Sequence, residues 1–166
     1  MQTFLPYSSF TESAKILDWR RLGKQRVEGM QIINAISGVP RKDGKPYKGW
    51  TNHPCSVMWK PYLPALKLYT NIIITEWIKR GYNNNMEYYD VPGCPITDID
   101  TDIEMPHWLG DDRIHSSHRA NLLRKDYEYY SQFGWDEDSE NPYTWFDTEK
   151  KQWYLQHVGT GVREYV

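Results

Sequence analysis

Apolar residues recur at helical spacing in two long stretches of the 166-residue chain. The first stretch predicts a helix with Thr11 as its N-cap and Gly38 as its C-cap. Gly23 lies inside this helix, where a glycine indicates close approach by a neighbouring element. A second long helix is predicted over residues 62–80. Its apolar stripe, expected to face the core, consists of Leu66, Tyr69, Ile73 and Trp77.

The C-terminal half of the chain contains shorter regular segments between polar loops. A third helix is predicted over residues 112–125, with Asp111 or Asp112 as its N-cap. Residues 143–146 (YTWF) and 152–155 (QWYL) are joined by a polar turn and can form a β-hairpin. Together these segments predict a mainly α fold with a short C-terminal β-hairpin.

Composition narrows the class of protein. The length fits one compact domain over residues 1–166. No run of eighteen apolar residues occurs, so no membrane association is predicted. The N-terminus lacks the features of a signal peptide and the two cysteines form no disulfide framework, which predicts a cytoplasmic protein. The 8 Trp and 13 Tyr residues can fill a core and can also stack on bases.

Charge is nearly balanced in total and strongly segregated along the chain. The net charge of −2 excludes a globally basic nucleic-acid binder. Residues 13–48 nevertheless carry a local charge of +6 and residues 113–125 a charge of +4, whereas residues 85–112 and 126–149 carry −8 each. The basic segments can form a positive cleft that binds an anion, or they can be ordinary solvated faces paired within the fold.

The first candidate for chemistry is the basic part of the first helix. Arg21, Lys24 and Glu28 share one helical face, and Arg26 lies nearby. Guanidinium groups can hold phosphates, and a carboxylate among them can act as an acid, a base or a stabiliser of positive charge on a sugar. The alternative is an exposed basic face with one ion-paired glutamate.

A second candidate is the pair His115 and His118, which share a face of the third helix beside Arg119. A zinc site needs three or four ligands and the chain has no C-x-x-C pairs, so no metal is predicted. The histidines can contact phosphate or relay a proton, or they can make structural hydrogen bonds.

Aromatic residues form a third candidate. Trp50 and Trp108 lie in glycine-containing loops next to His53 and His107, and they are predicted to stack on a base. The chain lacks the motifs of phosphate-binding loops, dinucleotide-binding folds, zinc proteases and serine hydrolases. No sequence motif therefore indicates membership of these enzyme classes.

Several segments together resemble a known family. They are MQTFLPY, LGKQRVE, NHP, WKPY, EWIKRGYN, HWLGD, HSSHR and NLLRKD. The combination resembles the pyrimidine-dimer DNA glycosylases of the endonuclease V type, in a subgroup of small phage and bacterial proteins. The resemblance begins in the first helix and ends near residue 135. It implies a glycosylase-like helical core over residues 1–135 and a C-terminal extension over residues 136–166.

The resemblance also implies a reaction. The family removes a base with the N-terminal α-amine as nucleophile, forms a Schiff base with the sugar, and can cleave the strand at the resulting abasic site without a cofactor. A glutamate and arginines of the first helix assist, and a base is flipped out of the duplex. The implied fold has the N-terminal segment threaded between helices.

The residue patterns and the resemblance together assign site residues in this chain. The catalytic residues are expected to be Met1, Glu28, Arg21 and Arg26. The nucleic-acid- or phosphate-binding residues are expected to be Gln2, Lys24, Gln25, His53, His115, His118, Arg119 and Lys125. Trp50 and Trp108 are expected to stack on a base, and neither a metal nor a cofactor is expected.

Two functions remain open from the sequence. The first is a DNA glycosylase, with or without abasic-site lyase activity, that acts on a damaged or modified base in DNA. The alternative is a non-catalytic protein of phage type that binds a nucleotide or modified base in the same pocket. Two departures from the family favour the alternative: the bulky Gln2 follows Met1, and Leu22 follows Arg21 where the family has a glutamate.

Overall fold

The computed structural model describes residues 2–93, 97–98 and 101–166. The chain forms two compact units, each described in turn below. Unit 1 comprises Met1–Thr3 and Ser9–Pro106, and unit 2 comprises Phe4–Ser8 and His107–Val166. Helices and 3₁₀ turns contain 48% of the described residues, which confirms the predicted mainly α class. Within the described residues, no helix is both long enough and apolar enough to cross a membrane.

Unit 1 contains two long helices and several short ones. They are α1 (Phe10–Ile16), α2 (Trp19–Ser37), α3 (Lys48–Thr51), α4 (Pro54–Trp59) and α5 (Leu63–Lys79), with a 3₁₀ turn at Lys60–Tyr62 between the last two. The helix predicted over residues 62–80 is thus confirmed as α5.

The long helix predicted to start at Thr11 is in fact two helices, α1 and α2. The Ser9 hydroxyl, and not Thr11, caps α1 by accepting a hydrogen bond from the backbone N–H of Glu12. The backbone is extended at Leu17, and the carboxylate of Asp18 then caps α2. The helical spacing of apolar residues continues across this break, so periodicity alone did not reveal it. Gly38 ends α2 in the left-handed conformation, as predicted.

Helices α2 and α5 form the centre of unit 1. A Cβ atom placed on Gly23 would lie 2.8 Å from the ring of Trp77 on α5, which confirms the close approach predicted for this glycine. Tyr69 on α5 is buried as predicted, along with the neighbouring positions Leu66 and Ile73. Trp77, expected in the same core stripe, is only partly buried.

Unit 2 combines helices with a small sheet. Its elements are α6 (Asp112–Lys125), α7 (Tyr127–Tyr130), a 3₁₀ turn (Ser131–Phe133), β1 (Tyr143–Asp147), β2 (Gln152–Gln156) and β3 (Arg163–Tyr165). Asp111 caps α6, as expected. Strands β1 and β2 pair antiparallel, which confirms the hairpin. The third strand, β3, was not predicted because its three residues are exposed and carry no apolar alternation.

Candidate active site

The side chain of Gln25 holds the start of the chain against α2. Gln25 is 1% exposed, and its Nε2 donates a hydrogen bond of 2.7 Å to the main-chain carbonyl of Gln2. Gln2 is itself buried. The backbone of the second residue is therefore fixed to the middle of α2, one helical turn before Glu28.

The same amide group holds the carboxylate of Glu28. Nε2 of Gln25 donates to Oε2 of Glu28 at 3.0 Å, and the hydroxyl of Tyr69 donates to Oε1 of Gln25 at 2.7 Å. These contacts use both hydrogens of the Gln25 amide and fix its orientation. Glu28 is 8% exposed, and its Oε1 lies 3.8 Å from Nζ of Lys24. Glu28 is thus a nearly buried carboxylate whose position is set by a neutral network.

Thr3 provides a second attachment of the N-terminal residues. Its Oγ1 accepts a hydrogen bond of 2.8 Å from Nε1 of the buried Trp59 and lies 3.5 Å from Sγ of Cys55. Burial raises the pKa of the Cys55 thiol to about 11, so the thiol is neutral at ordinary pH. The site near Gln2 and Thr3 therefore holds Glu28 as its acidic group and no thiolate.

Met1, the predicted source of the catalytic amine, lies outside the described residues. The Nε2 atom of the Gln2 side chain is buried and makes no hydrogen bond with any part of the chain that the structure describes.

The two predicted catalytic arginines of α2 have different surroundings. Arg21 is partly exposed and pairs with Asp18, its Nη1 lying 3.2 Å from the carboxylate that caps the helix. The guanidinium of Arg26 lies 4.3 Å from the ring centre of Trp77 and donates to Oδ1 of Asn84 at 2.7 Å. Burial lowers the pKa of Arg26. Both positive charges are thus positioned by contacts within unit 1.

Trp50 and His53 lie in unit 1 near the start of α4. Nδ1 of His53 accepts a hydrogen bond of 3.1 Å from the backbone N–H of Cys55 and so caps α4. The His53 ring lies 6.2 Å from the ring of Trp50. Trp50 is partly exposed, which leaves part of its ring available to a ligand.

The two histidines of α6 bind the backbone of Leu5. The N–H of Leu5 donates to Nδ1 of His118 at 2.9 Å, and Nδ1 of His115 lies 2.7 Å from the Leu5 carbonyl. The N–H of Gly110 donates to Nε2 of His115, which assigns the His115 proton to Nδ1. These are structural hydrogen bonds, and not the phosphate contacts predicted from the sequence.

Burial keeps both of these histidines neutral. His118 is 3% exposed, and burial, with a smaller contribution from the neighbouring titratable groups His115 and Arg119, lowers its pKa to about 3. Burial also lowers the pKa of His115. A neutral, buried imidazole offers no positive charge to a phosphate, so the geometry favours the structural alternative over the predicted phosphate contact.

The remaining predicted residues of unit 2 are also structural or peripheral. Arg119 donates to the Pro6 carbonyl at 2.8 Å and forms ion pairs with Asp112 and Glu137. Trp108 is 2% exposed, so its ring has no open face for a base. Lys125 is exposed in the last turn of α6. The guanidinium of Arg119 thus binds the backbone of Pro6, next to the Leu5 backbone that the two histidines bind.

The sequence missed the role of Tyr69 and of the Thr3–Trp59 contact. Tyr69 was correctly expected in the core, but its hydroxyl also fixes Gln25. The one available signal was chemical, because a buried position occupied by Tyr rather than Phe requires a hydrogen-bond partner for the hydroxyl. In the described part of the chain, no group of three or more His, Cys, Asp or Glu side chains is arranged to hold a metal ion.

Chemically, the arrangement in unit 1 places one carboxylate beside the N-terminal residues and several cations on the same helix. A carboxylate in this position can exchange a proton or stabilise a positive charge that develops next to it. The cations of α2 can attract phosphate groups.

Comparison with known proteins agrees with this arrangement. The chain matches no curated protein and no solved structure. The family model described as pyrimidine dimer DNA glycosylase matches residues 1–90, more than half of the chain. That range includes the N-terminal residues, α2 with Gln25 and Glu28, and α5 with Tyr69. The chain therefore belongs to the pyrimidine dimer DNA glycosylase family.

Proposed function

We propose that this protein is a DNA glycosylase that releases a damaged pyrimidine base, with its active site at the start of the chain and on α2. One observation supports the proposal above the others. A single side-chain amide, that of Gln25, binds both the backbone of Gln2 and the carboxylate of Glu28. The chain thus holds its second residue and its nearly buried carboxylate in fixed relation.

In the proposed reaction, the α-amine of Met1 attacks the anomeric carbon of the damaged nucleotide. The bond to the base breaks, and the base leaves with the bonding electrons. The attacking amine must be neutral, which its ordinary pKa of about 8 allows for a useful fraction at pH 7. Loss of the amine proton and opening of the sugar ring give a cationic imine. That imine can accept electrons when the strand is cleaved, which is the proposed lyase step.

Glu28 has the proposed role of stabilising positive charge and exchanging protons during these steps. Its carboxylate is shielded from water and has a fixed orientation, so little reorganisation is needed when charge develops on the sugar. Arg21, Lys24 and Arg26 have the proposed role of binding the phosphates on either side of the nucleotide. Arg21 and Arg26 are held in place by Asp18 and Asn84.

The decisive variant is Glu28→Gln. The new amide keeps an oxygen that can accept the hydrogen bond from Gln25, so the fold is retained and only the carboxylate charge is lost. Base release from ultraviolet-irradiated duplex DNA is expected to fall by about 10²-fold to 10⁴-fold, while DNA affinity is retained. Glu12→Gln is the matched control because Glu12 is exposed and pairs only at the surface with Lys15. Equal rates for both variants would contradict the role of Glu28.

The nucleophile is tested separately by borohydride reduction of the protein on abasic and irradiated duplexes. A covalent adduct is expected for the untreated protein, and none after selective acetylation of the α-amine. If no adduct and no base release occur on any substrate, the glycosylase proposal is wrong. Tight stoichiometric binding of a mononucleotide that is recovered intact would then identify the protein as a nucleotide-binding relative of the family.

A further inference from the structure

A wide cleft in unit 1 lies outside the residues assigned above to catalysis. It has a volume of about 910 Å³ and is formed by the C-terminal half of α2, the loop after it, and α3. We call it the basic cleft because it is lined by four cations, which are Arg41, Lys42, Lys45 and Lys48.

The charge of the basic cleft is strongly one-sided. Asp43 is the one acidic residue in its lining, and it pairs with Arg41 at 3.5 Å. The three lysines form no ion pair with any residue in the described ranges. A concave surface that collects three uncompensated lysines concentrates positive potential and attracts phosphate groups.

Aromatic rings also line the basic cleft. Tyr47 and Trp50 both border it, and the Trp50 backbone N–H donates to the Tyr47 carbonyl at 3.0 Å. Their partly exposed rings are held by the short helix α3 and by the neighbouring His53 ring. Cationic groups that follow a phosphate backbone, combined with flat rings, are typical of surfaces that bind single-stranded nucleic acid.

The basic cleft begins beside the proposed active site. Gln31, in the lining of the cleft, is three residues after Glu28 on α2, so the two share a helical face and lie about 4.5 Å apart along the axis. A DNA strand advances about 3.4 Å per nucleotide along the duplex axis. A strand whose sugar lies at Glu28 therefore enters the cleft within about two nucleotides.

We propose that the basic cleft binds an unpaired stretch of the DNA strand next to the damaged nucleotide. The lysines contact its phosphates, and the Trp50 ring stacks on one of its bases. The strand must be unpaired locally because paired bases already stack on one another and expose no face to Trp50. This inference rests on the proposed function, since it assigns the strand in the cleft to the substrate of the Glu28 site.

The phosphate contacts are tested by binding of a labelled short oligothymidylate at several salt concentrations. The double variant Lys42→Gln/Lys48→Gln removes two cations of the cleft, and Lys60→Gln/Lys79→Gln removes two exposed cations of unit 1 outside it. The negative slope of log affinity against log salt is expected to become shallower by about 1.4 in the cleft variant, because each single-strand phosphate contact contributes about 0.7 to its magnitude. The control variant should keep the slope of the unmodified protein.

The stacking contact is tested with Trp50→Leu. Loss of stacking is expected to weaken oligothymidylate binding by about 5-fold to 150-fold, and Trp50→Phe should restore part of it. Trp19→Leu is the matched control because Trp19 is an exposed tryptophan on α2 outside the cleft. Circular dichroism establishes whether each variant is folded.

Base release from irradiated duplex separates this inference from the proposed function. If the unmodified protein releases base but the cleft variants bind the single strand as it does, the cleft proposal is wrong and the glycosylase proposal stands. If binding depends on the cleft but no base is released, the glycosylase proposal is wrong and so is the assignment of the bound strand to damaged DNA, whereas single-strand binding by the cleft stands. Failure of the unmodified protein to bind the oligonucleotide at all would also overturn the cleft proposal.

Discussion

Among single residues, Tyr69 has the clearest double role in this protein. It lies in the core of unit 1, and its hydroxyl orients the Gln25 amide. Tyr69→Phe removes the hydrogen bond that the tyrosine hydroxyl donates to the buried Oε1 of Gln25. The free energy of unfolding is expected to fall by about 1–3 kcal/mol, and base release should slow because Gln25 no longer holds Glu28 in one orientation. Urea denaturation and the irradiated-duplex assay measure the two effects.

Tyr88→Phe controls for the loss of a tyrosine hydroxyl as such. The Tyr88 hydroxyl contacts Thr75 at 3.0 Å, but the side chain is exposed. Its removal should change stability by less than about 0.5 kcal/mol and leave base release unaltered. Equal losses for Tyr69→Phe and Tyr88→Phe would mean that the buried hydrogen bond to Gln25 has no special weight.

His118 makes the stability of the protein sensitive to acid. Its pKa is lowered to about 3 in the folded chain, against an ordinary value of 6.5. Between these values the unfolded chain binds the proton more readily than the folded chain. The contribution of neutral His118 to the free energy of unfolding is therefore fully present above about pH 6.5. It is lost as pH falls toward 3, at up to about 1.4 kcal/mol per pH unit. His118→Gln removes the titrating group, so this pH dependence should flatten. The fold should be kept, because the Gln amide oxygen can still accept a hydrogen bond from the N–H of Leu5.

The dependence is measured as the free energy of unfolding in urea between about pH 4 and pH 7. His157→Gln is the control because the His157 side chain is 45% exposed and its ring contacts the surface residue Glu164. The exposed histidine should leave the slope as it is in the unmodified protein. A steep slope that survives in His118→Gln would assign the acid sensitivity to other groups.

At the scale of elements, the close contact between α2 and α5 depends on the absence of a side chain at Gly23. Gly23→Ala places a methyl group 2.8 Å from the ring of Trp77, which is itself held by Arg26 and by a hydrogen bond to the Asn83 carbonyl. The resulting overpacking costs about 1–3 kcal/mol and outweighs the gain in helix propensity of about 1 kcal/mol. The variant should therefore unfold at lower urea, and Arg26 should shift with Trp77.

Gly49→Ala in α3 gives the opposite expectation. Apart from its chain neighbours and its own helix backbone, no described atom lies within 4 Å of the position that its Cβ would take, so only the gain in helix propensity remains. Its midpoint of urea denaturation should equal or exceed that of the unmodified chain. If Gly23→Ala behaved in the same way, the close approach of Trp77 would have no energetic consequence.

The elements were predicted best where one local rule decided them. The limits of α6 follow from the Asp111 cap, and the end of α2 follows from Gly38, and both predictions were correct. The division of the first helix at Leu17 was missed because the apolar spacing continues through it. Strand β3 was missed because pairing with β2, rather than its own sequence pattern, makes it a strand.

The candidate site was predictable only in part, since a helical face does not reveal what it faces. Glu28, Lys24 and Arg21 were correctly placed together on one helix. The same reasoning put His115 and His118 on a ligand-binding face, but that face of α6 binds the backbone of Leu5. Burial and partner identity come from contacts between residues distant in sequence, and spacing carries no information about them.

At the scale of the whole molecule, the net charge of −2 combines two unlike units. Unit 1 carries 13 basic and 11 acidic residues, a net charge of +2, and unit 2 carries 7 basic and 11 acidic residues, a net charge of −4. DNA affinity should therefore depend on where a charge is removed. Lys24→Gln/Lys48→Gln should weaken binding to an irradiated duplex and lower its salt dependence, whereas Lys150→Gln/Lys151→Gln in unit 2 should not.

Fluorescence anisotropy with the same labelled duplex compares these two variants directly. Both change the net charge of the protein from −2 to −4, so any difference between them reflects position alone. Equal losses of affinity would mean that total charge governs DNA binding and that unit 1 holds no preferred binding surface.

The Gln25 network also makes the two oxygens of Glu28 chemically unequal. Oε2 accepts the hydrogen bond from Gln25, whereas Oε1 lies 3.8 Å from Nζ of Lys24. Under the proposed function, Oε1 is the oxygen that can meet the substrate without displacing the Gln25 amide. The reacting sugar would then approach α2 from the Lys24 side, along the face that continues to Gln31.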